Sequence, residues 1–135
     1  MSSIFIKIIN GEIPSYKIAE DENFYAFLDI NPLAKGHTLV IPKKEIDYIF
    51  NIDDKLLSEM IVFAKKVGKS IEANIKCERI GLTVIGLEVP HAHIHLIPIN
   101  NITDMDFSKQ KLSFSEKDFI DIAKKISITF DKNNS

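Results

Sequence analysis

Three histidines alternate with apolar residues in the last third of the sequence: His91, His93 and His95. The stretch is bounded by Pro90 and Pro98. Alternate side chains of a β-strand point to the same face, so this pattern predicts a half-buried strand with three imidazoles on one face. Ala92, Ile94 and Leu96 are then expected to face the core. Imidazole has a pKa close to neutrality, which makes the histidine face the first candidate site.

A row of imidazoles is compatible with three interpretations. The first is a metal site, because neutral imidazole is the commonest zinc ligand. Alternate strand residues lie about 6.6 Å apart and Zn–N bonds are about 2.0–2.1 Å, so one ion could bind two neighbours but hardly all three. The second is a solvated sheet face without chemistry. The third is catalysis on phosphorus, in which one neutral imidazole attacks while its neighbours donate to phosphate oxygens and protonate the leaving group.

The composition favours a site for a small molecule. A chain of 135 residues is long enough for one domain, spanning residues 1–135, with a substantial core. A net charge of -2 and 45% hydrophobic residues argue against strong disorder and against a broad electrostatic surface for nucleic acid. The single cysteine, Cys77, cannot form an internal disulfide and is expected to be inert. No membrane span or signal peptide is evident, so we expect a soluble cytoplasmic protein.

The elements that must position the histidines follow from hydrophobic periodicity. The predicted strands cover residues 16–20, 23–29, 37–41 and 80–85, followed by the histidine segment. The first two strands form a hairpin, and the third begins with the fourth histidine, His37, and is closed by Pro42. The fourth strand and the histidine strand are expected to pair in the antiparallel direction.

Three helices are predicted around this sheet. A short N-terminal helix covers residues 4–9 and ends where Gly11 can adopt a left-handed conformation. A long helix starts after Asp53 as its N-cap and carries apolar residues at helical spacing up to about residue 75. Ser115 starts a C-terminal helix, preceded by a polar loop over residues 100–112 and followed by fraying after residue 131. The sequence therefore predicts an α+β fold with an antiparallel sheet of about five strands.

The histidine segment resembles the His-φ-His-φ-His-φ-φ signature of the histidine triad (HIT) family, where φ is an apolar residue. Residues 4–14 (IFIKIINGEIP) are similar to the N-terminal stretch of that family. Residues 29–44, which include Asp29-Ile30-Asn31-Pro32 and Gly36-His37, resemble its nucleoside-binding segment. These three motifs follow one another in the family's order over residues 3–98, and the gap between residues 11 and 29 suits the Hint-like branch.

The resemblance implies a HIT-like fold and a nucleotide hydrolase or transferase. Such an enzyme acts on the α-phosphate of nucleoside 5′-monophosphate derivatives, as phosphoramidates or mixed anhydrides, through a covalent nucleotidyl-histidine intermediate and without a metal or other cofactor. His93 matches the nucleophile and His95 the residue that binds the phosphate and leaving-group region. His91 matches the residue that orients the nucleophile, and His37 completes the site. An attacking nitrogen must be unprotonated, so its other ring nitrogen needs a fixed partner.

The resemblance also implies a purine nucleotide substrate, with AMP derivatives as its class, and a homodimer formed by the long helix and a neighbouring strand. Asp29 matches the carboxylate that accepts hydrogen bonds from the ribose. The residues that match the apolar slot for the base are Ile4, Phe5, Ile8, Phe27 and Ile30. Phe27 and Ile8 could equally be core residues, and Asp29 could simply cap a turn. A dinucleoside polyphosphate (Ap4A-type) hydrolase and a non-catalytic nucleotide-binding protein remain alternatives, with no nucleic acid or membrane partner expected.

The sequence departs from the family pattern in three places. Many bacterial relatives bind a structural zinc through Cys-x-x-Cys and a histidine, and the corresponding residues here are Ser3, Ile6 and Glu45, so we predict no structural zinc. The loop of residues 85–90 is short and apolar where relatives carry polar phosphate contacts, and its Glu88 would repel a phosphate or hold a cationic amine. The C-terminal extension over residues 99–135 is a candidate determinant of leaving-group specificity.

Overall fold

A computed structural model describes residues 3–135, which form one five-stranded antiparallel sheet and three α-helices. The strands are β1 (Lys17–Glu20), β2 (Phe24–Leu28), β3 (Thr38–Pro42), β4 (Arg79–Thr83) and β5 (Ile94–Ile99). The helices are α1 (Ile4–Ile9), α2 (Asp54–Asn74) and α3 (Glu116–Asn134). The order in the sheet is β1-β2-β3-β5-β4, and each neighbouring pair is antiparallel. The predicted α+β class and the antiparallel sheet are confirmed.

Local signals place the helices as predicted. The side chain of Asp53 accepts a hydrogen bond from the first turn of α2, and that of Ser115 does the same for α3. Helix α1 ends before Gly11, whose φ of +78° favours glycine because a Cβ atom would be strained there. Helix α3 continues to Asn134, so the predicted fraying after residue 131 is wrong. The side chain of Asn134 donates to the Phe130 carbonyl oxygen at 2.8 Å and stabilises this last turn.

Both faces of the sheet are covered, which explains why β2 and β3 are buried along their whole length. The main core lies between the sheet and helices α2 and α3, and it includes Ala92, Ile94 and Leu96 as predicted. A smaller apolar cluster lies on the opposite face beneath α1 and consists of Phe5, Ile8, Tyr25, Phe27, Leu39 and Ile41. The histidine side chains lie on the α1 side of the sheet.

The histidine strand is shorter than predicted. Strand β5 begins at Ile94, which pairs with Val40 of β3, and the preceding residues make other main-chain bonds. His91 N–H donates to the Val89 carbonyl oxygen at 2.8 Å, and Ala92 N–H donates to the Ile46 carbonyl oxygen at 2.7 Å. His91 and His93 therefore lie in a bend before the strand, a geometry that alternation in sequence does not reveal.

One further segment differs from the sequence-based expectations, and one glycine turn is constrained by packing. The loop predicted over residues 100–112 contains a short 3₁₀ turn, Ile102–Met105. Gly36 has a φ of +90° in the turn before β3, and a Cβ atom there would lie 3.0 Å from Ile75 Cγ1. Within residues 3–135, no helix combines the length and the apolar character needed to cross a membrane.

Candidate active site

A cavity of about 480 Å³ opens between α1, the end of β2 and the histidines, a volume typical of a small-molecule site. His37, His93 and His95 line this cavity. The residues predicted to bind the nucleotide all line it as well: Asp29, Ile4, Phe5, Ile8, Phe27 and Ile30. His91 is fully buried, with 0% exposure, and is not among the lining residues. The structure therefore brings the predicted residues to one place, with His91 behind the others.

The ring of His93 is held in one orientation by the main chain. Its Nδ1 lies 2.7 Å from the carbonyl oxygen of His91. A carbonyl oxygen only accepts, so Nδ1 carries the hydrogen and, in the neutral ring, Nε2 has a free lone pair. The ring of Phe5 packs edge-on against the His93 ring with centroids 5.1 Å apart. The His93 ring thus has a fixed orientation in which Nδ1 is the donor and Nε2 faces away from that bond.

His91 supports that arrangement through two hydrogen bonds. Its Nε2 donates to the Pro42 carbonyl oxygen at 2.8 Å, which leaves Nδ1 as an acceptor. Nδ1 lies 2.9 Å from Ser3 Oγ, so the Ser3 hydroxyl is the donor. Burial lowers the pKa of His91 and thereby favours the neutral ring that this pattern requires.

His37 and His95 form a second ordered pair. The Leu33 N–H donates to His37 Nδ1 at 2.9 Å, so the hydrogen of the neutral His37 ring lies on Nε2. His37 Nε2 then donates to His95 Nδ1 at 3.0 Å, which places the hydrogen of the neutral His95 ring on Nε2. Burial, reinforced by neighbouring histidines, lowers the pKa of His37 to about 3 and that of His95 to about 4. Both rings are therefore neutral at pH 7.

Asp29 lies directly after β2, and its two carboxylate oxygens contact different groups. One carboxylate oxygen accepts a hydrogen bond from Asn31 N–H at 2.9 Å, the turn-capping role that the sequence left open. The other lies 3.6 Å from His37 Nε2. Burial raises the pKa of Asp29. The same carboxylate lines the cavity, so capping the turn does not remove it from the candidate ribose position.

One group of residues has ligand atoms close enough for a metal ion. Asp29, His37 and His95 each place one such atom within 4.8 Å of the others. The hydrogen bond between the two imidazoles accounts for this proximity without an ion, and a metal would have to break it. The hydrogen bonds of these residues therefore explain their proximity.

Ser3 and Glu45, at positions where the family resemblance implies zinc ligands, belong to a hydrogen-bonded cluster here. Ser3 N–H donates to Glu45 Oε1 at 2.6 Å, while the Ser3 hydroxyl bonds to His91. Ile6 offers no ligand atom. A hydroxyl and a carboxylate already bonded to other groups do not provide the thiolate and imidazole ligands that structural zinc prefers. The residues present do not fit that metal.

Phe107 and Lys111 are among the lining residues that the sequence-based prediction missed. Phe107 packs its ring against His95, with centroids 4.8 Å apart, and Lys111 lines the same cavity. Both belong to the segment predicted as a polar loop, and its main chain is attached by the bond from Leu112 N–H to the Pro32 carbonyl oxygen at 2.8 Å. No periodicity or motif marks this segment in the sequence, so only the tertiary structure shows its place.

The antiparallel sheet and the three histidines beneath a covering N-terminal helix define a histidine triad protein. The family model for the HIT domain matches residues 10–102, and the chain belongs to the HIT family. A HIT-like protein of Borreliella burgdorferi is 38% identical over 133 residues, covering 93% of this chain and 96% of that protein. Adenosine 5′-monophosphoramidase HNT1 of Candida albicans is 42% identical over 106 residues, covering 72% of this chain and 70% of that protein.

The fold is similar to that of a solved Hit-like protein from Bartonella henselae. The TM-score is 0.82 and the sequence identity is 31%, and the match covers 95% of this chain and 96% of that chain. This similarity extends beyond the HIT domain match, which ends at residue 102, and includes most of the C-terminal part of the chain.

Proposed function

We propose that this protein hydrolyses nucleoside 5′-monophosphate derivatives at the α-phosphate, with AMP phosphoramidates as the best-fitting substrates. The observation that carries the proposal is the 2.7 Å hydrogen bond between His93 Nδ1 and the His91 carbonyl oxygen. This bond leaves the Nε2 lone pair of His93 available for attack in the cavity. The relative from Candida albicans that is named adenosine 5′-monophosphoramidase supports the choice of substrate.

The proposed reaction proceeds in two displacements at phosphorus. His93 Nε2 forms a bond to the α-phosphorus, the P–N bond to the amine breaks, and the amine leaves with a proton from solvent. Water then forms a bond to the phosphorus and gives one proton to solvent while the bond from phosphorus to Nε2 breaks, which releases the nucleoside 5′-monophosphate and restores the neutral ring. His95, with its hydrogen on Nε2, donates to a phosphate oxygen and stabilises the charge that develops there. No metal enters either step.

The apolar part of the cavity suits a nucleoside. We propose that the base lies among Ile4, Ile8, Phe27 and Ile30, of which Phe27 is buried and Ile30 largely exposed. Asp29 accepts hydrogen bonds from the ribose hydroxyls at the end of this slot. Apolar side chains contact the flat faces of a base and do not read its polar edge, so purine selectivity comes from shape more than from hydrogen bonding.

The test is a comparison of kcat/KM for adenosine 5′-phosphoramidate, an acyl-adenylate and Ap4A, together with mass spectrometry of acid-quenched enzyme. We expect the phosphoramidate to be the best substrate and a nucleotidyl adduct to appear on His93. Faster turnover of Ap4A would favour the dinucleoside polyphosphate hydrolase instead. AMP binding without turnover of any substrate would point to a non-catalytic nucleotide-binding protein.

We also propose that the protein forms a homodimer through α2 and β4. Ile61 and Val62 of α2 are 45% and 49% exposed, and Leu82 of β4 is 47% exposed. In the described part of the chain, β4 is paired only with β5, so its other edge is available to a second copy. Light scattering is expected to give twice the monomer mass, and Ile61→Glu is expected to shift it toward the monomer. A wild-type protein that stays monomeric would exclude this assembly.

A further inference from the structure

The cavity contains a single positively charged side chain among those the structure describes between residues 3 and 135. This side chain is Lys111, and the negatively charged residues Asp29 and Glu88 line the same cavity. A nucleotide phosphate carries at least one negative charge, so two carboxylates in the same cavity oppose its binding. The charge balance of the site therefore depends on Lys111.

The loop before the histidines does not provide polar phosphate contacts from its side chains. Ile85, Leu87 and Val89 line the cavity with apolar groups, and Glu88 between them is an acid. A cationic side-chain donor to a phosphate in this cavity must therefore come from a different segment. Lys111 lies in the segment after β5, beyond the HIT domain match that ends at residue 102.

The ammonium group of Lys111 is held in place and still has donor capacity. It donates to the carbonyl oxygens of Phe107 and Lys109. An ammonium has three hydrogens, so two bonds to carbonyl groups leave one donor for a ligand. The Lys111 side chain is half-buried, which reduces screening of its charge by solvent.

The same segment packs against His95 and His37, and its Lys111 lines the cavity that these histidines line. The Phe107 ring lies 4.8 Å from the ring of His95 and 6.2 Å from that of His37. Lys111 Nζ lies 6.0 Å from the centroid of the Phe107 ring. Burial is the largest cause of the lowered pKa of His37, and the Lys111 ammonium acts in the same direction.

We propose that Lys111 binds an α-phosphate oxygen of the nucleotide and that the C-terminal segment thereby replaces the phosphate contacts missing from the loop of residues 85–90. This inference deepens the proposed function and rests on it for the identity of the ligand. It adds a substrate-binding residue that lies outside the matched HIT domain.

The test compares the affinities of AMP and adenosine, which differ by the phosphate alone, by calorimetry at low ionic strength. Lys111→Met is expected to weaken AMP binding by about tenfold, the value of one charge-assisted hydrogen bond, and to change adenosine binding by less than about twofold. Lys111→Arg is expected to keep most of the preference for AMP. Lys109→Met is the matched control, because the Lys109 side chain is exposed and only its main-chain oxygen bonds to Lys111 Nζ. The affinities of this variant for AMP and for adenosine are expected to stay unchanged.

Equal weakening of AMP and adenosine in Lys111→Met would overturn the proposal, because it would mean that the lysine only supports the shape of the cavity. Unchanged affinity for AMP would also overturn it. Failure of the proposed function is a separate result. If the wild-type protein turns over no AMP derivative, the hydrolase assignment is wrong. If it still binds AMP more tightly than adenosine, and Lys111→Met removes this preference, the phosphate contact of Lys111 stands.

Discussion

The hydroxyl of Ser3 lies 2.9 Å from Nδ1 of His91, although 88 positions separate the two residues in the chain. This bond, with that from His91 Nε2 to the Pro42 carbonyl oxygen, determines which nitrogen of His91 carries the hydrogen. The main-chain oxygen of His91 in turn holds Nδ1 of His93. The start of α1 is therefore connected to the proposed nucleophile through two consecutive hydrogen bonds.

Ser3→Ala is expected to reduce both stability and activity. The substitution removes the donor to buried His91 and the cap that accepts from Ile6 N–H, so the free energy of unfolding should fall by about 1–3 kcal/mol. A looser His91 also holds His93 less firmly, and kcat for the phosphoramidate should fall several-fold. Urea unfolding and steady-state kinetics measure the two effects.

Two variants serve as controls for Ser3. Ser3→Thr keeps a hydroxyl and should retain most of the wild-type stability. Ser58→Ala removes an exposed hydroxyl that bonds only to the Asp54 carbonyl oxygen of its own helix, and it should leave kcat unchanged. If Ser3→Ala keeps the kinetics and stability of the wild-type protein, the bond from Ser3 to His91 contributes to neither activity nor stability.

His93→Ala is expected to abolish hydrolysis of adenosine 5′-phosphoramidate. Loss of a nucleophile removes the covalent route, so kcat should fall by a factor on the order of 10³ or more. AMP should still bind, because the apolar slot and Asp29 are unaffected. Kinetics with a calorimetric titration separates the two results, and retained turnover in this variant would refute the assignment of His93 as the nucleophile.

The stability of the protein is expected to decrease as the pH falls below about 6.5. Burial lowers the pKa of His37 to about 3 and that of His95 to about 4 from the ordinary value of 6.5, so the unfolded chain binds more protons between these values. Each histidine then contributes a loss of up to about 1.4 kcal/mol per pH unit in that window, and nothing above it. The pKa of Asp29 is raised by burial, so protonation of its carboxylate at acidic pH favours the folded state and opposes the loss of stability caused by the histidines.

Urea unfolding at pH 7, 6 and 5 measures this dependence. His95→Asn should show a smaller decrease than the wild-type protein, because one of the three buried histidines with a lowered pKa is removed. A free energy of unfolding that is constant or rises between pH 7 and pH 5 would contradict the neutral state of the buried pair.

Gly36→Ala is expected to destabilise the protein more than Gly11→Ala. Both glycines have positive φ, so both substitutions incur a backbone cost of about 1–2 kcal/mol. A Cβ atom at Gly36 would also lie 3.0 Å from Ile75 Cγ1, whereas nothing lies within 4 Å of one at Gly11. Thermal unfolding of the two variants isolates the packing contribution, and equal changes in Tm would show that Ile75 adjusts without cost.

Protein purified without added metal is expected to contain far less than one zinc ion per chain. Ser3 bonds to Glu45 through its N–H and to His91 through its hydroxyl, in place of zinc ligands, and Ile6 cannot bind a metal. Chelator treatment should accordingly leave Tm unchanged. Elemental analysis that returns about one zinc per chain would refute this prediction.

Local patterns in the sequence were sufficient to predict most of the helices and strands. The long helix, its Asp53 cap, the hairpin and the turn at Gly11 depend on residues within a few positions of one another, and each lies where it was predicted. The alternation around Ile94 correctly assigned the core face of β5. The HIT resemblance rested on three such local motifs, which is why the family could be recognised before the structure was known.

The detailed geometry of the candidate site depends on contacts between residues that are distant in the sequence. The sequence by itself determined which imidazoles are present, but the tertiary structure decided which nitrogen of His91 and which of His95 carries the hydrogen. Their partners are 88 positions away for His91 and 58 positions away for His95. The position of Lys111 was likewise unpredictable, because an irregular segment has no periodicity and its place depends on packing against the histidines. Short-range spacing encodes helices, strands and caps, whereas hydrogen-bond partners and charge balance in a cavity exist only after the chain has folded.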